Sequence, residues 1–132
     1  SYGGTWRAPT RRWAGLVPLG YGDGILRSAS NAAPVVVRGP GGDVPARCAG
    51  RVCMDQFVID LGPAGGAAGT PGSQSGAPPA RVGDGAVLFG DPATGAPTAD
   101  QWAEAAGTIN YEVVTRLGDH IPRIHIRAGR SQ

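Results

Sequence analysis

The sequence predicts a mainly β domain with one short αα element near its C-terminus. Three observations lead there. Short apolar runs alternate with turn residues through the first half, a helix-capping pattern opens at Thr98, and 23 glycines and 12 prolines punctuate 132 residues. That Gly and Pro content is roughly twice the usual share. Hydrophobic residues still make up 41% and charged residues 17%, which fits a turn-rich folded domain better than a solvated tail. The length suits a single domain over 1–132.

Residues 14–19 (Ala-Gly-Leu-Val-Pro-Leu) and 34–38 (Pro-Val-Val-Val-Arg) read as the first two strands. Gly39-Pro40-Gly41-Gly42-Asp43 is dense turn chemistry and predicts a hairpin into a third strand over 44–52. Residues 56–61 follow as a fourth. Pro18 and Pro45 each remove a ladder donor, so they belong at an edge, a strand end or a bulge. From 62 to 80 the chain has no periodicity, no charge and no large apolar side chain, the pattern of a flexible insertion loop. Strand character resumes at 86–89. Thr98 with Gln101 forms a capping box, Trp102, Ala105 and Ala106 share helical spacing, and Gly107 stops the helix. Thr108 or Asn110 is placed to cap a second short helix ended by Gly118, and the alternation over 121–127 predicts a closing strand.

Composition also excludes functions. All 12 basic residues are arginine, so no side-chain amine is available for a Schiff base with a carbonyl cofactor. The arginines are scattered, with Arg11-Arg12 the one adjacent pair, and no basic stripe marks a nucleic-acid track. No apolar run approaches the ~20 residues of a membrane span, and no signal peptide is evident. Cys48 and Cys53, read on one straight strand, would stand roughly 16 Å apart on opposite faces. They are expected to be reduced thiols of a cytoplasmic protein. His120 and His125 have no partner at ligand spacing, so no metal site is expected. Ser28 and Ser30 lack a neighbouring base. The chain opens at Ser1 inside what looks like a motif, and is read as part of a longer protein.

Five segments, in order, resemble motifs of one enzyme family. Ser1-Tyr2-Gly3-Gly4-Thr5 resembles the Ser-Tyr-Gly-x-Thr of alanine racemases. Gly20-Tyr21-Gly22-Asp23-Gly24 resembles their Gly-Tyr-Ala/Gly-Asp-Gly, and Gly50-Arg51-Val52-Cys53-Met54-Asp55-Gln56 their Gly-Arg-x-Cys-Met-Asp-Gln. Thr108-Ile109-Asn110-Tyr111-Glu112 is similar to Thr-x-Asn-Tyr-Glu, and Ile121-Pro122-Arg123 to a closing Val-Pro-Arg. Outside 62–80 the resemblance covers nearly the whole chain, but only the family's C-terminal β-barrel or sandwich domain. The N-terminal (β/α)8 barrel, with its cofactor lysine, has no counterpart here.

The resemblance implies a pyridoxal 5'-phosphate enzyme that interconverts L- and D-alanine for cell-wall peptidoglycan. It implies a cytoplasmic homodimer in which each site combines one subunit's barrel with this domain of the other. Racemisation needs a base on each face of the substrate. The tyrosine matching Tyr2 serves the L face and the barrel lysine the D face. A free phenol ionises near 10 and needs a partner that favours its anion; Arg7 is near in sequence, and by resemblance the partner comes from the barrel. Met54, through its backbone N–H, and Asp55 are implied at the substrate carboxylate, and Tyr111, at a helix start, at the cofactor phosphate, from the same subunit that supplies the lysine. Tyr21, Arg27, Arg51 and Ile109 are implied along the substrate's access channel, where arginine attracts a carboxylate. Gly22 stands where many relatives carry Ala, which should loosen the Tyr21 turn. The alternative is a non-catalytic dimerisation module of a related protein. A β-barrel that binds oligonucleotides is a third reading.

Overall fold

The computed structural model describes residues 1–65 and 76–126. Five strands form one antiparallel sheet: β1 (Arg12–Val17), β2 (Pro34–Gly39), β3 (Gly42–Cys48), β4 (Phe57–Pro63) and β5 (Gly85–Val87), ordered β1-β4-β3-β2-β5. The sheet curls into a half-barrel with β1 and β5 as its edges. An apolar trough of about 770 Å³, lined by Leu16, Val37, Ile59, Leu61 and Leu88 among others, runs between those edges.

β2 and β3 make the hairpin that the Gly-Pro-Gly-Gly run predicts. Gly39 pairs with Gly42 around a two-residue turn, and Gly42 takes φ +118°, a conformation that only glycine holds without strain. Alternate residues face inward: Val35 and Val37 on β2, Phe57 and Ile59 on β4 are buried while their neighbours are partly exposed. Pro45 pairs with Val36, and β4 joins β3 only at Arg47 and Cys48, so the proline's missing N–H falls on an open edge. Pro18 lies just past the end of β1.

Helix α1 (Ala99–Ala106) opens with the predicted reciprocal cap between Thr98 and Gln101 and closes at Gly107, φ +72°. Its Trp102 is the anchor of the core. The indole meets Phe57 and Phe89 edge-on, with ring centroids at 6.4 and 6.3 Å, and its Nε1–H donates to the Leu88 carbonyl. Helix α2 (Asn110–Thr115) buries Val113 against the same core.

Several expectations are corrected. No strand forms over 121–126, and Arg127 lies outside the described residues. The Arg123 guanidinium donates to the Leu117 and Ile121 carbonyls and Ile121 N–H to Gly118 O, which folds the segment on itself instead of against a strand. The third strand stops at Cys48, not Val52, because Gly50 at φ +87° turns the chain away. The straight-strand separation of Cys48 and Cys53 therefore does not apply, although both are free thiols. β4 runs on through Gly62 and Pro63, residues assigned to the insertion loop, and 66–75 of that loop lie outside the described residues. Helix α2 is capped by neither predicted residue. Ile109 occupies the cap position, Asn110 donates its side chain to Asp100 (2.6 Å), and the helix ends at Thr115, before Gly118.

Candidate functional site

Tyr2 opens a 3₁₀ turn, Tyr2–Gly4, in which Gly3 and Gly4 both take positive φ and turn the chain sharply. The phenol is 53% exposed, so it is free to meet a neighbouring surface. The cation above its ring is Arg27, with Cζ 5.9 Å from the centroid, and not the sequence neighbour Arg7. Arg51 lies beside Gly3, where a Cβ would sit 3.2 Å from its Nη1. Two guanidinium groups thus lie close to the segment that carries the phenol.

Tyr21 begins a second 3₁₀ turn, Tyr21–Asp23, closed by Gly24 at φ +101°. Asp23 Oδ2 accepts from Gly20 N–H at 2.8 Å. The turn docks onto the Met54 segment through backbone bonds, Tyr21 N–H to Cys53 O and Gly22 N–H to Met54 O, each 2.9 Å. Cys53 N–H donates to Gln56 O (2.9 Å), folding 53–56 into a tight loop that leaves Met54 and Asp55 exposed. Among the described residues the Met54 N–H meets no backbone acceptor, so it is available to an external carboxylate.

Ile109 and Tyr111 stand apart from these, on the α1–α2 corner, 63% and 71% exposed. They edge a hollow of about 370 Å³ with Asp100 and Glu104. The segment after α2 is tied back through Asp23. Its carbonyl accepts from Gly118 N–H (3.0 Å), and its Oδ1 lies 2.7 Å from His120 Nε2. The His120 contact, then the Gly20 N–H, hold the Asp23 carboxyl below the usual carboxylate range. Among the described residues no group of three or more His, Cys, Asp or Glu side chains could hold a metal. No described helix is long and apolar enough to cross a membrane.

Residues 1–125 match the family of the alanine racemase C-terminal domain. The chain belongs to that family. It is 49% identical over 126 residues to the alanine racemase of Beutenbergia cavernae and 48% identical to that of Streptomyces coelicolor, covering 96% of this chain in both cases. It spans 29% and 28% of those relatives' lengths. Among solved structures, the alanine racemase from Streptomyces coelicolor A3(2) aligns over 97% of this chain and 29% of its own, with TM-score 0.76 and 46% identity. The alanine racemase from Bacillus anthracis with bound L-Ala-P aligns over 98% of this chain and 28% of its own, with TM-score 0.70 and 35% identity.

The alanine racemase motifs thus fall into two groups. Arg27 lies over the Tyr2 ring and Arg51 beside Gly3, and Tyr21 with Met54 and Asp55 share a pair of docked loops that continue the Arg51 segment. Ile109 and Tyr111 belong to the second group. The sequence reading missed Ser30 and Asn31, which join the first group together. Ser30 Oγ donates to Arg27 O (2.5 Å) and accepts from Val52 N–H (2.9 Å). The sequence shows only a polar dipeptide after Ala29, with nothing local to mark its long-range bonds.

Proposed function

We propose that this chain is the C-terminal part of a pyridoxal-phosphate-dependent alanine racemase, and that it completes a partner subunit's active site with the Tyr2 phenol. The observation that carries the reading is the exposed group of Tyr2, Tyr21 and Met54, three large side chains turned outward from a core that buries aliphatic and aromatic residues elsewhere. Together with membership of the family, it supports a surface that meets a second polypeptide segment.

The residues fit one end of the cofactor only. Tyr111 presents a phenol clear of the fold, suited to donate to a phosphate oxygen, whereas the chain has no lysine to bond the aldehyde. That amine belongs to a (β/α)8 barrel outside this sequence. When bound, the cofactor withdraws electrons and acidifies the substrate α-C–H. Tyr2 takes the α-proton from the L face as phenolate and returns it as phenol in the reverse direction. Met54 N–H, with Asp55 beside it, orients the alanine carboxylate, a donor that costs no side-chain ordering. Tyr21, Ile109 and the two arginines line the approach, Arg27 and Arg51 drawing in the carboxylate. The intact protein works as a cytoplasmic homodimer that supplies D-alanine to peptidoglycan, without nucleic-acid or membrane partners.

The test is racemisation by the full-length protein and its Tyr2→Phe variant. Loss of α-proton exchange from L-alanine, with D-alanine still bound, is expected. Unchanged turnover removes Tyr2 from the chemistry and leaves the dimerisation module standing. Purified residues 1–132 with added cofactor should racemise no faster than cofactor alone; faster turnover refutes the divided site.

A further inference from the structure

Of the motif Ser1-Tyr2-Gly3-Gly4-Thr5, the chemistry above uses one residue. Ser1 and Thr5, on either side of Tyr2, are each bonded to a distant segment. Ser1 Oγ accepts from Arg51 N–H at 3.1 Å, and a Cβ at Gly50 would collide with that hydroxyl. Thr5 Oγ1 accepts from Asn31 Nδ2 at 3.0 Å. Asn31 in turn grips Gly50 from both sides: its Oδ1 accepts from Gly50 N–H (2.6 Å) and its own N–H donates to Gly50 O (3.1 Å).

Asn31 does this from φ +63°, the only positive φ of a non-glycine residue among the described ones. The left-handed region is uncommon outside glycine and persists where surrounding contacts over-determine it. One of those contacts runs to Thr5, and two run to Gly50, the neighbour of the Arg51 that holds Ser1. The two glycines after Tyr2 leave its turn with little stiffness of its own. The phenol's direction is therefore set at the two ends of the motif, by Ser1 on Arg51 and Thr5 on Asn31.

We infer that Asn31 and Thr5 are positioning residues for the Tyr2 phenol. Their side-chain bond fixes the far end of the Tyr2 turn against the Gly50–Arg51 backbone. The inference rests on Tyr2 being the L-face base. Deleting the bond should leave the fold in place and misplace the phenol, and displacement by about 1 Å can cost up to a hundredfold in rate.

The experiment uses the full-length racemase with its cofactor and three variants: Thr5→Val, Thr5→Ser and Asn31→Gly. Glycine keeps the left-handed backbone and removes the amide; serine keeps the hydroxyl. The readout is the primary deuterium isotope effect on kcat/KM with α-deuterated L- and D-alanine. An enzyme cannot shift the equilibrium, so rates in the two directions fall together, but isotope effects are free to diverge. Thr5→Val and Asn31→Gly should lower kcat/KM roughly tenfold, raise the L-alanine isotope effect and lower that of D-alanine. Thr5→Ser should match wild type. A fall in rate with both isotope effects unchanged reduces the two residues to fold support and overturns the inference. Tyr2→Phe, run in parallel, separates the premises. If Tyr2→Phe is crippled while Thr5→Val matches wild type, positioning fails alone; if Tyr2→Phe keeps wild-type exchange, the reading of Tyr2 fails.

Discussion

Gly20 and Gly22 stand two residues apart in one turn, yet the structure gives them opposite tolerance for a methyl group. Gly20 is buried at φ −147°, a conformation alanine accepts, so any cost of Gly20→Ala comes from space alone. Its Cβ would run into the carbonyls of Cys53 and Met54, which are backbone and cannot swing aside. Relief requires parting the two loops and stretching the bonds from Tyr21 and Gly22 N–H to those carbonyls. Two weakened hydrogen bonds, at about 1 kcal/mol each, and the repacking of a close contact, about 1–3 kcal/mol, place the loss near 4 kcal/mol. At Gly22 the Cβ would lie 3.1 Å from Met54 O and 3.3 Å from Met54 Cγ, so the loop gives by a few tenths of an ångström and the flexible thioether chain yields, without parting the two loops. Reduced freedom of the unfolded chain returns about 0.4–1 kcal/mol, so Gly22→Ala should lie within about 0.5 kcal/mol of wild type or stabilise. This agrees with alanine at that place in the family's motif. The assay is thermal unfolding of the full-length protein, with alanine KM alongside. A chain three to four times this length loses about 1 °C per kcal/mol, so Gly20→Ala should melt about 4 °C lower and Gly22→Ala within about 1 °C. A Gly20→Ala protein that melts with wild type would refute the close approach of the two loops.

Trp102→Ala should cost about 3–5 kcal/mol by removing the ring that Phe57 and Phe89 pack against, measured by denaturant unfolding. Asp60 is held below the ordinary carboxylate value of 3.8 by its bond from Arg12 (2.7 Å), and Asp23 by His120. A depressed folded-state pKa gives stability that is complete above the unfolded value and lost as pH falls through the folded one. Wild type should therefore lose stability more steeply below pH 3.8 than Asp60→Asn, as read from unfolding midpoints against pH. Burial pushes the Cys48 thiol up, whereas Cys53 is partly exposed, so maleimide labelling followed by peptide mass analysis should find Cys53 modified first.

What was legible in the sequence follows from the range of the forces involved. The β2–β3 hairpin is written in four adjacent turn residues, and the α1 cap in Thr98, Gln101 and Gly107, so both could be read locally. The closing strand could not. Alternation over 121–126 was present, but strand formation also needs a partner edge, and Arg123 spends its guanidinium on nearby carbonyls instead. The pattern over 44–52 overruns the third strand because the turn at Gly50 depends on Asn31, 19 residues earlier. Of the candidate site, the motif segments were visible as strings. Their mutual contacts were not: nothing local to Tyr2 or Arg27 announces that the guanidinium crosses the ring, since a buried Ala29 and a Ser30 hydroxyl place it there.

The anchoring of the first five residues carries a consequence for synthesis. Ser1 is bonded 50 positions downstream and Thr5 26 positions downstream. Long-range closures of this kind form late, after the loop entropy between their ends has been overcome. As this stretch leaves the ribosome, its leading tyrosine has no fixed orientation until the Gly50–Val52 strip has also emerged and settled. A translational stall before that point would leave a phenol pointing anywhere, so the chain acquires its aim only after the greater part of the sheet exists.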